Sequence, residues 1–356
     1  MLEEKFNALR LARTHNLGNL GYRYLISKEG SATAAVNNFN DIVWRGRKLQ
    51  LPPIEEIEKE MKFAEQNGVS FIFFGTSPYP ESLNRINGPV CLSYKGRIEL
   101  LQSRIIAVVG TRTPSLIGLK FCRETVHNLL KIDEQLTVIS GLAEGIDREA
   151  HISSLPNTIG VLPGGIDICY PSSNALLFSE IGLRGLLISD RPYGHRPMAH
   201  LFPKRNALMA ALATCVLVIE CTRNSGSIIT ANYAKEYGKP LYVVPGHPND
   251  LKYAGNNFLL RNGANLFIST QDILKDLQFS YLHDIVQLEF DRDIKNDDIN
   301  KFLALLSSTP VHLNDFAQYW PIGILLSMAA ELEIAGEVEL TMDLKIRRLF
   351  QDPLIN

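Results

Sequence analysis

Residues 136–151 read Leu136-Thr137-Val138-Ile139-Ser140-Gly141-Leu142-Ala143-Glu144-Gly145-Ile146-Asp147-Arg148-Glu149-Ala150-His151. A short β-branched, apolar run ends in a serine and two glycines and passes into helical spacing, which predicts a strand, a tight turn and a helix start. The turn gathers a hydroxyl, glycines and free helix-start amides at the carboxyl end of a strand, the parts of an anion nest. Outward from it the pattern recurs. Ile105–Val109, Leu136–Ile139, Thr158–Leu162, Leu186–Ser189, Val216–Ile219, Leu241–Val244 and Asn265–Ile268 are apolar runs of strand length separated by helical stretches. Such strands need both faces covered, and their alternation with helices makes βαβ units. The sequence therefore predicts an α/β fold, an extended Rossmann-type doubly wound parallel sheet, with ligands beyond the carboxyl ends of its strands.

The loops at those ends carry the chemistry. Ile105–Val109 runs into Gly110-Thr111-Arg112, where a glycine allows a tight turn and a guanidinium with exposed amides can hold a phosphate. After a later strand, Ser225, Gly226 and Ser227 open a helix and form a second anion-binding corner. Between residues 184 and 206, Arg184, Arg191, Arg196, Lys204 and Arg205, with His195 and His200, stand against the single acid Asp190. With Tyr193 and Phe202 interleaved, this stretch suits a nucleic-acid strand: cations meet phosphates and aromatic faces stack bases. Asp147 and His151, four residues apart, are expected to serve structure, Asp147 favouring the helix start and pairing with His151, because no candidate nucleophile accompanies them. Gly110 stands alone before Gly118, so the G-x-G-x-x-G pattern is missing after the first strand and no dinucleotide cofactor is predicted. No metal-ligand cluster is legible, and no metal is predicted.

At 356 residues, 46% hydrophobic and 21% charged, the chain is too long for one core and too apolar for disorder, so several folded domains are expected. The net charge of −2 conceals a split between a basic body and an acidic region beyond residue 270. The five cysteines are odd in number and never form a C-x-x-C pair, which predicts reduced thiols and no zinc site. With no signal-peptide pattern and no membrane-length apolar window, a cytoplasmic protein without a membrane partner is expected. Residues 1–68 read as a small helical domain, with Phe6, Leu9, Leu11, Leu17, Leu20 and Leu25 at helical spacing and Gly18 and Gly21 marking a turn. Runs at Val69–Phe74 and Val90–Tyr94 open the sheet of a domain spanning 69–270. Residues 271–298 read as an acidic linker, and 299–356 as three short helices and a strand, the pattern of a winged helix. Ile322–Ala335, its candidate recognition helix, carries no Lys or Arg, which favours protein contact over a transcription factor's DNA contact.

The order and spacing of several segments resemble the DprA (Smf) family of bacterial DNA-processing proteins. They are Val109-Gly110-Thr111-Arg112, Ser140–Asp147 with Ala150-His151, Gly165-Ile166-Asp167-Ile168-Cys169-Tyr170-Pro171, Phe202-Pro203-Lys204-Arg205-Asn206, Ser225-Gly226-Ser227 with Thr230-Ala231, and Asn257 to Ala264. The likeness extends to Leu17–Gly21, to Tyr79-Pro80 with Leu83, and to the C-terminal module, nearly the whole chain. It implies a Rossmann body flanked by a small N-terminal helical domain, SAM-like or helix-hairpin-helix-like, and a C-terminal winged helix. It also implies a protein that is not an enzyme, binds and protects incoming single-stranded DNA, forms a homodimer and loads the recombinase RecA in natural transformation. The residues implied for DNA are Arg112, Lys204, Arg205 and Asn206, with backbone and hydroxyl contacts from Ser140, Gly141, Gly145, Ser225, Gly226 and Ser227. Asn257, Leu259 and Leu260 either belong to the core or face a second subunit. The chain departs from the family at Ala207, where an arginine is usual, at Asp190, where a glutamate is usual, and at Pro163-Gly164-Gly165. The alternative is a nucleotide-processing Rossmann enzyme of the nucleoside-monophosphate phosphoribohydrolase type, with Asp147 or Asp167 as general base. Its Gly-Gly-x-Gly-Thr motif is absent, since Gly165 is followed by Ile166-Asp167-Ile168.

Overall fold

The computed structural model describes residues 2–39, 43–44, 47–274, 296–341 and 345–349, in two compact units, Met1–Ile273 and Leu274–Asn356. The first begins with α1 (Leu2–Ala12), α2 (Gly18–Glu29), α3 (Ala32–Asn37), the short antiparallel pair β1 (Val43–Trp44) and β2 (Arg47–Lys48), and α4 (Ile54–Asn67). A nine-stranded sheet follows, made of β3 (Val69–Phe73), β4 (Cys91–Gly96), β5 (Ile105–Val109), β6 (Thr137–Ser140), β7 (Thr158–Val161), β8 (Leu186–Ser189), β9 (Cys215–Val218), β10 (Leu241–Val243) and β11 (Asn265–Leu266). Its order is β11-β10-β9-β5-β6-β7-β8-β4-β3.

From β5 to β11 every pairing is parallel, as the apolar runs predict, while β3 and β4 extend the β8 edge antiparallel. All residues of β5 to β10 are buried, which is why these strands lack the alternation of a half-solvated sheet. Helices α6 (Leu116–Ile132), α7 (Ile146–Ser154), α8 (Ala175–Arg184), α9 (Leu201–Leu212), α10 (Gly226–Glu236) and α11 (Ala254–Arg261) occupy the crossovers, and a shorter α5 (Glu81–Arg85) joins β3 to β4. Ile106 of β5 stands between Val138 of β6 and Cys215 of β9. The chain winds away from β5 in both directions, so this is where the strand order reverses.

The N-terminal helices share a core with the sheet edge: Ala8, Leu9, Ala32 and Ile57 pack with Phe73 and Cys91. Arg13 and Glu60, both nearly buried, pair at 2.7 Å within the same region. The second unit contains α12 (Asn296–Leu305), β12 (Val311–His312), a 3-10 turn at Leu313–Phe316, α13 (Ile322–Ile334), β13 (Val338–Leu340) and β14 (Lys345–Arg348), with sheet order β12-β14-β13. Phe302, Leu313, Phe316, Leu325, Met328 and Ile346 form its core. Most of the acidic linker expected at 271–298 lies outside the described residues. Among the described residues no helix is long and apolar enough to cross a membrane.

Candidate nucleic-acid interface

In an open parallel sheet a crevice forms beyond the carboxyl ends of the strands where their order reverses. Here it lies between the loops after β5 and β9. A cavity of about 350 Å³ is lined by Gly110, Thr111 and Arg112 after β5, by Ala143 and Asp147 near the start of α7, by Phe202, Arg205 and Asn206 of α9, and by Asn224 to Ser227 at the start of α10. A second cavity of about 120 Å³ shares Arg112, Ala143, Phe202 and Arg205 and adds Gly141, Glu144, Tyr170 and Pro171. The shared walls make them one groove.

Close packing shapes the groove. A Cβ on Gly110 would lie 2.5 Å from Cγ1 of Ile146, and one on Gly141 would fall on the Arg205 guanidinium. Gly145, at φ +78°, lies too close to the Thr111 carbonyl for any side chain. Leu142 takes a left-handed φ of 57° while its side chain is buried, a conformation that its surroundings must enforce. Asn174 supplies part of that restraint, donating from Nδ2 to the carbonyls of Leu142 at 2.9 Å and Ala143 at 3.3 Å.

Arg205 is buried, donates through Nη1 to the Gly141 carbonyl and through Nε to Asn206 Oδ1 at 2.9 Å. Asn206 in turn donates to the Gly226 carbonyl at 3.1 Å. This relay ties the turn after β6 to the start of α10. Burial pushes the Asp147 carboxyl up, against the opposing pull of Arg205 and of hydrogen bonds from Ala143, Ser140 and Gly141. Burial pushes the Arg205 guanidinium down, with Asp147 opposing and Arg112 reinforcing the shift. Arg112 itself is exposed. Its Cζ lies 5.9 Å from the Phe202 ring centre, that of Arg205 lies 5.8 Å away, and Tyr170 meets the same ring edge-on at 5.6 Å. At α10, Ser225 Oγ accepts from Ser227 N at 3.2 Å, Ser227 Oγ donates to the Gly110 carbonyl at 2.8 Å, and the space beside Gly226 is open.

Arg112, Gly141, Arg205, Asn206, Ser225, Gly226 and Ser227 thus come together in the groove. Three expectations need correction, those for Ser140, for the Asp147–His151 pair and for Leu259. Ser140, the last residue of β6, is fully buried and donates to the Val108 carbonyl at 2.6 Å, beside the Asp147 carboxyl, so its hydroxyl has no surface to offer a ligand. Gly145, half-buried, packs against the backbone of Thr111 and Arg112, where a Cβ would collide. His151 does not pair with Asp147: its Nδ1 lies 2.7 Å from Thr158 Oγ1, while Arg205 is the charge beside Asp147. Leu259 is 1% exposed in the main core, on the sheet-facing side of α11, and has no surface to offer a second subunit. Leu260 packs half-buried against that core, and Asn257 holds the 246 turn by donating to the Gly246 carbonyl at 3.1 Å. Lys204 is exposed and opens into a separate cleft, beside Arg191. Asp167 accepts from Gly194 N at 2.9 Å and so holds a loop. The sequence assigns no role to Tyr170 or Asn174. Tyr170 had a signal in its place after a strand end, whereas Asn174 had none.

A family model described as DNA recombination-mediator protein A matches residues 70–278, and one described as a DprA-like N-terminal HHH domain matches residues 2–62. The chain is 38% identical over 205 residues to DNA processing protein DprA of Streptococcus pneumoniae, covering 56% of this chain and 72% of that one. The crystal structure of the S. pneumoniae protein superposes with a TM-score of 0.64 at 28% identity, over 76% of this chain and 96% of that one. DNA processing protein A of Helicobacter pylori, in a structure addressing its single-stranded DNA binding mode, superposes with a TM-score of 0.55 at 29% identity, over 60% of this chain and 96% of that one.

Proposed function

The chain belongs to the DNA-processing protein A (DprA, Smf) family, and from that premise we propose that it binds single-stranded DNA in the switch-point groove, protects the strand and hands it to RecA in recombination and natural transformation. The observation that carries this reading is the groove's composition: an exposed arginine, a second cation fixed by a hydrogen-bond relay, an aromatic ring between them and the open start of α10. Arg112 and the amides around Gly226 meet phosphates, while Phe202 and the exposed face of Tyr170 stack on bases that only an unpaired strand can present. The protein acts by binding, not turnover. Asp147, the residue best placed for acid–base work, is buried beside Arg205 in the groove wall, and the groove holds no nucleophile–base pair. In this reading the protein works in the cytoplasm as a homodimer, with residues 1–68 as a helical module, 69–270 as the DNA-binding body, and 299–356 as an acidic winged-helix module that contacts protein.

Fluorescence anisotropy of a labelled single strand, at two salt concentrations and in competition with duplex, tests the proposal. The wild-type protein is expected to bind with strong salt dependence and to yield little to duplex. Arg112→Ala is expected to weaken binding by ~1–3 kcal/mol and to flatten the salt slope. Equal competition by duplex, unchanged affinity in Arg112→Ala, or steady product release from nucleoside monophosphates would each overturn it.

A further inference from the structure

Lys204 and Arg205 are consecutive on the first turn of α9, yet they open into different cavities: Arg205 into the switch-point groove, Lys204 into a cleft of about 830 Å³. The far wall of that cleft is the turn between α1 and α2, including His15 and Asn16. Its other side is the loop after β8, where Arg191 pairs with Asp190. The frame is firmly built. Glu60 of α4 holds Arg13 at 2.7 Å and accepts from the Tyr193 amide at 3.3 Å, and Phe63 stacks on the Tyr193 ring with centres 3.8 Å apart. Arg13 and Arg191 are therefore neutralised in place, while Lys204 and His15 stand exposed across the opening.

We propose that this cleft is a second backbone-phosphate subsite for the same DNA strand, which leaves the groove across the first turn of α9 and passes between Lys204 and the α1–α2 turn. The inference rests on the single-strand reading above and extends it to the N-terminal helices, which become one wall of the strand's path. A strand that touches Arg205 on one side of α9 and Lys204 on the other must cross that turn, because adjacent helical residues point about 100° apart. The chemistry is positional: phosphates meet a lysine and turn donors, without base readout.

The test uses the full chain and oligothymidylates of about 6 and about 20 nucleotides, lengths within and beyond the span of a single-strand groove. Lys204→Glu and His15→Glu are expected to weaken the longer strand by at least about fivefold each and to leave the shorter one unchanged, whereas Arg112→Ala weakens both. The slope of log affinity on log salt for the longer strand should fall by at least about 0.7 in Lys204→Glu, which removes a cation from the strand's path. Both residues are exposed, so folding is not at stake. As an independent readout, a photoreactive base near one end of the longer strand should crosslink to the peptide that contains residues 12–20. Arg112→Ala weakening both lengths while the cleft variants affect neither, or both equally, would overturn the subsite alone. A wild-type protein that binds neither strand would overturn the single-strand reading and the subsite with it.

Discussion

His151 is fully buried on α7, with its Nδ1 against the Thr158 hydroxyl and its Nε2 without a partner. The Thr158 hydroxyl also lies 3.2 Å from the Val138 carbonyl, so the imidazole is tied through it to the neighbouring strand. Burial, reinforced by the nearby Arg205 charge, holds the imidazole neutral and pushes its pKa down to about 3, from 6.5 when unfolded. Between those values the unfolded chain binds the extra proton, so this residue's contribution is complete above pH 6.5 and is lost as pH falls toward 3. The slope reaches about 1.4 kcal/mol per pH unit. Chemical denaturation at pH 7 and pH 5 should show His151→Asn losing less stability on acidification than the wild type; an equal loss would contradict the assignment. Gly141 gives a second prediction. Its Cβ would occupy the space of the Arg205 guanidinium, so Gly141→Ala should cost roughly 1–3 kcal/mol in a thermal melt and weaken single-strand binding together with it.

The elements were the most legible level. Every strand from β5 to β10 lies where the apolar runs predict it, because a parallel strand buried on both faces announces itself without alternation, and the exposed edge strand β11 falls within its run as well. What the sequence left hidden was the direction of single side chains on those elements. Ser140 and Gly141 are neighbours, yet the first is fully buried and the second lines the groove. Leu259 and Leu260 differ by one helical step, and only the first is fully within the core. Lys204 and Arg205, read as one pair from the motif, are divided by the same geometry. These facts depend on crossover packing, which no spacing rule encodes. Asn174 is the clearest case: from outside the turn it holds Leu142 and Ala143 through long-range bonds. Asn174→Ala should therefore destabilise the protein by about 1–3 kcal/mol, since the buried Leu142 carbonyl and the half-buried Ala143 carbonyl lose their donor. Hydrogen exchange should show faster amides at residues 141–145 with the sheet amides unchanged; a uniform acceleration would place the effect elsewhere.

At the scale of the whole molecule, the sequence divides residues 1–68 from the sheet domain, but the packing joins them. Phe73 and Cys91 of the sheet edge bury themselves against Ala8, Leu9 and Ile57, and the Arg13–Glu60 pair lies within the same compact unit. Removing residues 1–68 would expose that apolar surface, at a cost of about 25 cal/mol for each Å² uncovered. The sheet unit alone should consequently melt at lower temperature or aggregate. The opposite end behaves differently. Phe302, Leu313, Phe316, Leu325 and Ile346 make a core of their own beyond residue 274, and the groove draws all of its residues from before residue 231. A chain ending at Ile273 should keep the cooperative melt and the single-strand affinity of the full protein, because the sheet core and the groove draw their residues from before that point. On the function proposed above, the acidic C-terminal unit would then be dispensable for holding DNA, and a RecA-loading assay on the same truncated chain should show a loss without any change in binding; retained loading would deny that unit the partner contact.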